Sequence, residues 1–135
     1  MRLLLDTSYL YDFMDRPGRL LASERDLLHS RETRLHVSAV SIWEMRLKHN
    51  ARHRSGERKS RFSPADVVAT LEDQEVTFLP LTRHHAITVL DPPLGHKDPF
   101  DELLLVQAQV QGLRLLTKDG KLAQHPLALA LSPSG

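Results

Sequence analysis

The sequence contains no cysteine, which excludes disulfide bonds and thiolate metal sites. It has no apolar run close to the ~18 residues that a membrane-spanning helix requires. Its first residues lead directly into a predicted strand, without the pattern of a signal peptide. We therefore expect a cytoplasmic protein with no membrane partner. Aromatic residues make up only 5% of the chain, so the core must be built from Leu, Val, Ala and Ile.

Neither sign of charge dominates the chain. There are 18 Lys and Arg residues against 17 Asp and Glu residues, and the net charge of +1 does not by itself indicate a nucleic-acid partner. The distribution is uneven, however. Basic residues are concentrated between Arg46 and Arg61, opposed only by Glu57, whereas several acids lie together between Asp98 and Glu102. This pattern predicts a basic surface and a separate acidic cluster.

Short apolar runs alternate with amphipathic segments along the 135 residues. The runs predict strands at residues 2–5, 35–38, 76–79 and 113–117, and an edge strand within 127–131. Helices are predicted near residues 10–14, 20–30, 40–47, 63–73, 82–90 and 98–111, and residues 48–62 are predicted to form a helix end and an exposed loop. Strands that alternate with helices favour a mostly parallel sheet covered on both faces. The length suits a single domain over residues 1–135.

Acidic residues recur where the predicted strands end. Asp6 follows the first strand, Glu44 lies in the helix after the second, and Asp119 follows the fourth. Asp98 and Asp101 open the helix that precedes the fourth strand. Because parallel strands share one carboxyl edge, these acids are expected to converge there. Two carboxylates ~4 Å apart repel by roughly 4 kcal/mol at an effective dielectric constant of ~20, so converging acids take up protons or bind a cation.

A set of ligands made only of oxygen atoms favours a hard ion such as Mg²⁺ or Mn²⁺. Such an ion lowers the pKa of a bound water and holds a phosphate oxygen, which is the arrangement for hydrolysis of a phosphodiester. The basic segment beside this pocket then becomes a candidate contact for a phosphate backbone. The sequence therefore favours a nuclease-like site next to a basic surface.

Each acid also has a purely structural interpretation. Asp98-Pro99 is an ordinary helix start, with Asp101 in the first turn, and Ser41 with Glu44 matches a capping box. Likewise, the acid after the first strand could cap a helix, and the acid after the fourth could belong to a turn. For any single acid the structural interpretation is favoured, but the recurrence of all of them beside strand ends favours a shared site.

Other acids and histidines are not assigned to this site. The acids expected to be solvated are Asp12, Asp15, Asp66, Asp73 and Asp91. The histidines expected not to bind a metal are His84, His85 and His96, because lone histidines on helix ends and loops usually do not.

Four segments carry a recognisable family pattern. They are Leu-Leu-Leu-Asp-Thr-Ser at 3–8, Val-Ser-Ala-Val-Ser-Ile-Trp-Glu-Met at 37–45, the run from His96 through Asp-Pro-Phe-Asp to Ala108, and Leu-Leu-Thr-Lys-Asp at 115–119. In this order and spacing they resemble the PIN-domain ribonucleases, specifically the VapC toxins of bacterial toxin–antitoxin pairs. The resemblance extends from Leu3 to about Leu122, and its most specific part is Asp-Pro-Phe-Asp with the preceding histidine.

This resemblance implies a three-layer α/β/α fold with a central, mostly parallel sheet, and a Mg²⁺- or Mn²⁺-dependent endoribonuclease. The acids that match the family's catalytic site are Asp6, Glu44, Asp98, Asp101 and Asp119, and the hydrogen-bonding supports are Thr7 and Thr117. The metal ligands would be the acids at 6 and 119 with one of those at 98 and 101, and which of these two is the direct ligand stays open. Glu44 would complete the site directly or through water.

The resemblance also implies the partners. An RNA substrate would lie along the basic residues Arg46, Lys48, Arg52 and Arg54, the chain would form a homodimer, and a cognate VapB-type antitoxin would cover the basic groove. The chain departs from close relatives at Ser8-Tyr9 and in its long basic segment, which leaves the RNA target open. Three alternatives remain: a nuclease-inactive module that binds RNA or antitoxin, a phospho-acceptor receiver domain, and a DNA nuclease.

Overall fold

The computed structural model describes residues 1–15, 20–51 and 63–131. Residues 16–19, most of the predicted loop at 48–62 and the last four residues lie outside these ranges, and so do two of the predicted RNA contacts, Arg52 and Arg54.

Strands and helices alternate as the sequence pattern predicts. The strands are β1 (Arg2–Leu5), β2 (Arg34–Ser38), β3 (Val76–Leu79), β4 (Arg114–Leu116) and β5 (Ala128–Leu129). The helices are α1 (Thr7–Asp15), α2 (Ala22–His29), α3 (Ala39–Asn50), α4 (Pro64–Glu72), α5 (Arg83–Ile87), α6 (Pro99–Gln111) and α7 (Gly120–Ala123).

The five strands form one sheet in the order β3-β2-β1-β4-β5. All four pairings between the described strands are parallel, so the sheet is more uniform than the mostly parallel arrangement expected. β1 lies at the centre of the sheet. β5 lies at an edge, as predicted for that strand, although it is only two residues long. The carboxyl ends of β1 and β4 are adjacent, which brings the residues that follow them to the same point of the sheet edge.

The central strand is buried on both faces, which explains its continuous apolar sequence. Leu3 and Leu5 pack into one core cluster together with Met45 of α3, whereas Leu4 packs into a second cluster with residues of α6 such as Leu104. The three β1 leucines have no exposed surface. Helices therefore cover both faces of the sheet, and the predicted three-layer α/β/α architecture is confirmed.

Two helices depart from the prediction. Ser38 caps α3 by accepting a hydrogen bond from the amide of Val40, so Ser41 lies inside the helix and the capping-box interpretation of Glu44 is wrong. Helix α5 ends at Ile87, short of the predicted position 90. The buried side chain of Leu90 instead anchors an extended segment that leads towards α6.

Helix α6 follows its local signals closely. Asp98 caps its first turn, Pro99 occupies its first position, and Gly112 ends it in the left-handed region with φ 68°. At 13 residues this helix is too short to cross a bilayer, which takes about 20 residues. Within the described parts of the chain no helix is long and apolar enough to do so.

Candidate active site

Asp6 lies directly after the central strand and is the most buried of the predicted site acids, with 7% of its surface exposed. Its amide donates a hydrogen bond to the carbonyl of Leu116 on β4, which fixes its position at the sheet edge. Its Oδ1 accepts from the amide of Thr7 at 2.8 Å. Its Oδ2 accepts from the Thr117 hydroxyl at 2.7 Å and, more weakly, from the Ser8 hydroxyl at 3.4 Å.

These contacts belong to a longer chain of hydrogen bonds. The hydroxyl of Thr7 donates to Oε1 of Glu44 at 2.9 Å, and the amide of Asp119 donates to the hydroxyl oxygen of Thr117 at 3.0 Å. Asp6 is therefore joined to Glu44 through one threonine and to Asp119 through another. Acids from three distant parts of the sequence lie along one stretch of the carboxyl edge, as expected for parallel strands.

The environment of Asp6 disfavours its charged form. Burial raises the pKa of this carboxyl above its usual value of 3.8, and repulsion from Glu44 raises it further. The hydrogen bonds from Thr117, Thr7 and Ser8 lower the pKa but do not offset the burial. Because these donors are neutral groups, the carboxylate lacks full compensation for its lost hydration.

Asp98 and Asp101 have different surroundings. Oδ1 of Asp98 accepts from the amides of Phe100 and Asp101 at 2.9 and 3.3 Å, so this acid serves the helix terminus. Oδ2 of Asp101 instead lies 3.0 Å from Nε2 of His96. Burial raises the pKa of Asp101 despite the opposing effect of His96, and the negative charges of Asp98 and Asp6 raise it further. Asp101 is thus within electrostatic range of the buried acid that ends the central strand.

Glu44 and Lys48 form an ion pair on α3. Nζ of Lys48 lies 3.2 Å from Oε2 of Glu44, and 48% of the lysine side chain is exposed. Burial acts to lower the pKa of Lys48, but its contact with Glu44 outweighs that effect and the pKa is raised. Arg46 is exposed on the same helix. Both predicted RNA contacts in the described part of α3 are therefore exposed, but of the two only Lys48 contacts Glu44, since Arg46, two residues after Glu44, lies on another face of the helix.

Asp119 combines a helix cap with a position at the site. It precedes α7, and its Oδ1 accepts from the amide of Lys121 at 2.9 Å. The residue is exposed, in contrast to Asp6. The structural interpretation of Asp119 was a turn, whereas the residue caps a short helix; for Asp98 the cap interpretation is correct. Neither role removes these residues from the acidic edge.

The atoms available at the acidic edge are of the type that a hard divalent cation prefers. They are carboxylate oxygens, one of them on a buried acid whose hydrogen-bond donors are all neutral. In this conformation, however, the side chains bind protein partners rather than one another. Across residues 1–15, 20–51 and 63–131, no three acidic or histidine side chains are grouped closely enough to hold a metal ion.

Sequence reasoning missed a second charged cluster beside this edge. Lys118 forms an ion pair with Asp12, lies 3.8 Å from Oε2 of Glu24, and has its Nζ 4.9 Å from the centroid of the Tyr9 ring. Only 15% of the Asp12 side chain is exposed, so the expectation that it is solvated is wrong. Glu24, placed by its spacing on the charged face of α2, is only 1% exposed. We call Tyr9, Asp12, Glu24 and Lys118 the lysine cluster.

His96 and His85 also have roles that the sequence pattern did not indicate. The hydrogen bond from His96 to Asp101 places it at the rim of the acidic edge. His85 is 1% exposed, accepts from the amide of Thr82 through Nδ1, and lies 2.9 Å from Oε1 of Gln111 through Nε2. For the contact between His96 and Asp101, the available sequence signal was their spacing: His96 comes five residues before Asp101, which lies in the first turn of α6.

The fold is shared with solved toxin–antitoxin complexes. A chain of the VapBC2 complex from Rickettsia felis, bound to a DNA fragment of its promoter, superposes with a TM-score of 0.61 at 12% sequence identity, over 97% of this chain and 98% of that one. A chain of a toxin–antitoxin complex from Klebsiella pneumoniae gives a TM-score of 0.61 at 16% identity, over 98% of each chain. At these identities the likeness concerns the fold alone.

The sequence itself gives the family. Comparison with curated proteins produced no match. The family model described as PIN domain, in contrast, matches residues 3–126, which include every acid of the carboxyl edge. The protein is therefore a member of the PIN domain family.

Proposed function

We propose that this protein is a divalent-cation-dependent endoribonuclease of the VapC toxin type. The observation that carries the proposal is the hydrogen-bonded chain that joins Glu44, Asp6 and Asp119 through Thr7 and Thr117. A buried carboxylate with a raised pKa at the centre of this chain is costly unless a cation binds beside it. Asp6 lies at the carboxyl edge of a PIN domain, and acids with a raised pKa at such a place are typical of functional sites.

Asp6, Asp101 and Asp119 are the residues we propose to hold the cation. Asp98 remains the alternative to Asp101, but one of its oxygens is engaged at the terminus of α6. Glu44 would contribute directly or through a water. When bound, Mg²⁺ or Mn²⁺ would supply a Lewis acid for a phosphate oxygen and lower the pKa of an attacking water.

The chain's own side chains would orient the reacting groups. Thr7 and Thr117 fix the rotation of the carboxylates at Glu44 and Asp6, and His96 does the same for Asp101. Lys48, which pairs with Glu44, and Arg46, which is exposed on the same helix, would contact the RNA backbone. Hydrolysis of the phosphodiester would leave a 5′-phosphate and a 3′-hydroxyl.

We propose a VapB-type antitoxin as the protein partner, because the solved structures with this fold cited above are toxin–antitoxin complexes. The exposed apolar side chains of α3 support a protein-binding surface. Trp43 and Leu47 are 51% and 42% exposed, and Trp43 packs edge-on against Phe100 at 5.6 Å. An apolar surface of this kind also suits the homodimer that we propose for the single domain. An RNA substrate is consistent with action in the cytoplasm.

RNA cleavage by the purified chain tests the proposal. The substrates are single-stranded RNA and DNA oligonucleotide pools, with Mg²⁺ or Mn²⁺ added and then removed with EDTA. We expect RNA cleavage that stops with EDTA and that Asp6→Asn reduces by at least about 100-fold. Asp26→Asn is the matched control, because Asp26 is an exposed acid of α2 with no contact to the site.

The same assay separates the alternatives. Binding of RNA without cleavage under any cation would identify an inactive binding module, and preferential cleavage of DNA would identify a DNA nuclease. Undiminished cleavage in EDTA would overturn the role of the cation. Phosphate incorporation from acetyl phosphate into Asp6 would instead indicate a receiver domain, which the family assignment does not favour.

A further inference from the structure

A groove opens beside the acidic edge, on the side away from Lys48. Its volume is about 490 Å³, within the range of roughly 300–1,000 Å³ typical of small-molecule sites. Its walls are the segment 92–96 before α6 and the end of α7, and its apolar surface comes from Pro92, Pro93, Leu94 and Pro126. Its polar side chains are those of Lys121, Gln124 and two histidines, His96 and His125.

The two walls are held in place by hydrogen bonds. Nδ1 of His125 accepts from the amide of Leu127 at 3.1 Å, so Nε2 carries the proton and donates to the carbonyl of Pro92 at 2.7 Å. The amide of Asp91 donates to Oε1 of Gln109 on α6 at 2.9 Å. Because His125 is only 7% exposed and joins both walls, the groove is formed before any ligand arrives.

The groove is continuous with the acidic edge at two points. His96 lines the groove and contacts Asp101 through Nε2. Lys121 lines it from the other wall, and its amide donates to Asp119. A polymer that passes over the acids can therefore extend directly into the groove.

The charge of the groove differs from that of the neighbouring edge. Within the described part of the chain, no acidic side chain lines it. Lys121 is exposed, and none of its hydrogen bonds or ion pairs with described residues involves its ammonium group. A free cation next to an apolar wall suits a ligand with one anionic and one apolar part, and an amide side chain at the rim can donate and accept hydrogen bonds.

We propose that this groove binds one unpaired nucleotide of the RNA next to the cleaved bond and contributes to sequence preference. The inference rests on the proposed ribonuclease function and deepens it. The base lies against the proline and leucine wall, Lys121 contacts its phosphate, and the amide of Gln124 reads the edge of the base. Splayed, unpaired bases are the form in which RNA sequence is usually recognised.

Two substitutions separate the phosphate contact from the base contact. Lys121→Gln removes a charge, so we expect weaker binding to all sequences. The slope of log Kd against the logarithm of the salt concentration should be smaller by about 0.7. Gln124→Ala leaves the charge intact, so we expect an unchanged salt dependence and a flatter preference at one nucleotide position. Arg31→Gln is the charge-matched control, because Arg31 is exposed at the opposite, amino edge of the sheet.

Binding is measured by fluorescence anisotropy with pools of single-stranded RNA in the Asp6→Asn background, which prevents cleavage. Sequence preference is measured by sequencing the products of the active variants. Groove variants that differ from Arg31→Gln in these ways support the inference. If the wild type is active but the Lys121 and Gln124 variants match the control in KM, salt dependence and cut-site preference, the groove does not bind the RNA. That outcome leaves the proposed nuclease function standing. A wild type that cleaves no RNA refutes the proposed function instead, and with it the cleavage-based form of this inference.

Discussion

Lys48 lies on the helix after β2 and Lys118 lies just after β4, the two strands that flank β1, and the two lysines differ in how they are held. Lys118 contacts Asp12, Glu24 and the ring of Tyr9, and one of its acids is almost completely buried. Among the described residues, Lys48 pairs with one acid, Glu44, and its Nζ lies farther from an aromatic ring, 5.7 Å from the centroid of Tyr11; its side chain is about half exposed. Each lysine is close in sequence to a site acid, Lys48 to Glu44 and Lys118 to Asp119. Only their surroundings show that Lys118 is a structural cation and that Lys48 can reach a phosphate. The lysine cluster thus forms the fixed side of the edge, and α3 forms its open side.

The largest effect should come from breaking the fixed side. Among the described residues, Lys118 is the one cation within 4 Å of the Glu24 carboxylate, so Lys118→Met removes that counter-charge from a buried acid. Within the same part of the chain, Oε2 of Glu24 also has no hydrogen-bond donor. We expect a loss of about 2–4 kcal/mol in the free energy of unfolding. Lys48→Met removes a partly exposed pair and should cost no more than about 1 kcal/mol. Urea denaturation of both variants makes the comparison, and equal losses would show that the two lysines do not differ in this way.

A smaller effect should follow from loosening Asp6 without removing it. Thr117→Val deletes the donor to Asp6 and the acceptor for the amide of Asp119 while keeping the side-chain shape. We expect RNA cleavage to fall about 10- to 100-fold. Ser8→Ala is the control, because the hydroxyl of Ser8 is 3.4 Å from the same oxygen and contributes little. A Thr117→Val variant as active as Ser8→Ala would mean that this hydroxyl does not orient the acid.

The smallest expected effect is an increase in the free energy of unfolding of the metal-free protein when Asp6 is replaced. The pKa of Asp6 is raised in the folded state. At a pH above this folded pKa, the charged carboxylate therefore lowers the free energy of unfolding. This penalty disappears below the pKa of the unfolded state, which is near 3.8. Asp6→Asn removes this penalty. We expect the variant to be more stable by about 0.5–2 kcal/mol at neutral pH in EDTA.

That gain should shrink as the pH falls towards 4, because Asp6 of the wild type then takes up a proton in the folded state first. Thermal denaturation across this pH range measures the difference. Acids remote from Asp6 cancel in the comparison, whereas Asp101, whose pKa the charge of Asp6 raises, adds to the gain in the same direction at neutral pH. A variant less stable than the wild type at neutral pH, with no pH dependence of the difference, would show that the carboxylate is well compensated.

The fold was largely predictable because its signals are local. Buried parallel strands give short apolar runs, and Asp98-Pro99 and Gly112 mark the ends of α6 in the sequence itself. The placement of Asp6, Glu44 and Asp119 along one edge of the sheet followed from one topological rule about strand ends. The short β5, the start of α3, the early end of α5 and the short helix α7 needed the structure.

The lysine cluster could not be predicted because its members are far apart in the sequence. Asp12 and Lys118 are 106 residues apart, and nothing in the charged face of α2 indicates that Glu24 is buried. The different surroundings of Asp98 and Asp101 were also hidden, since both acids fit a helix start equally well. In each case the deciding fact was the partner of the side chain, which depends on tertiary packing rather than on local pattern.

Cation binding measures most directly whether the acids of the carboxyl edge act together. Isothermal titration calorimetry with Mn²⁺ on the wild type, Asp6→Asn and Asp26→Asn is sufficient. We expect binding by the wild type and the Asp26 variant, and an affinity at least about tenfold weaker for Asp6→Asn. Equal affinity for all three proteins, or no binding by the wild type, would contradict a shared cation at this edge.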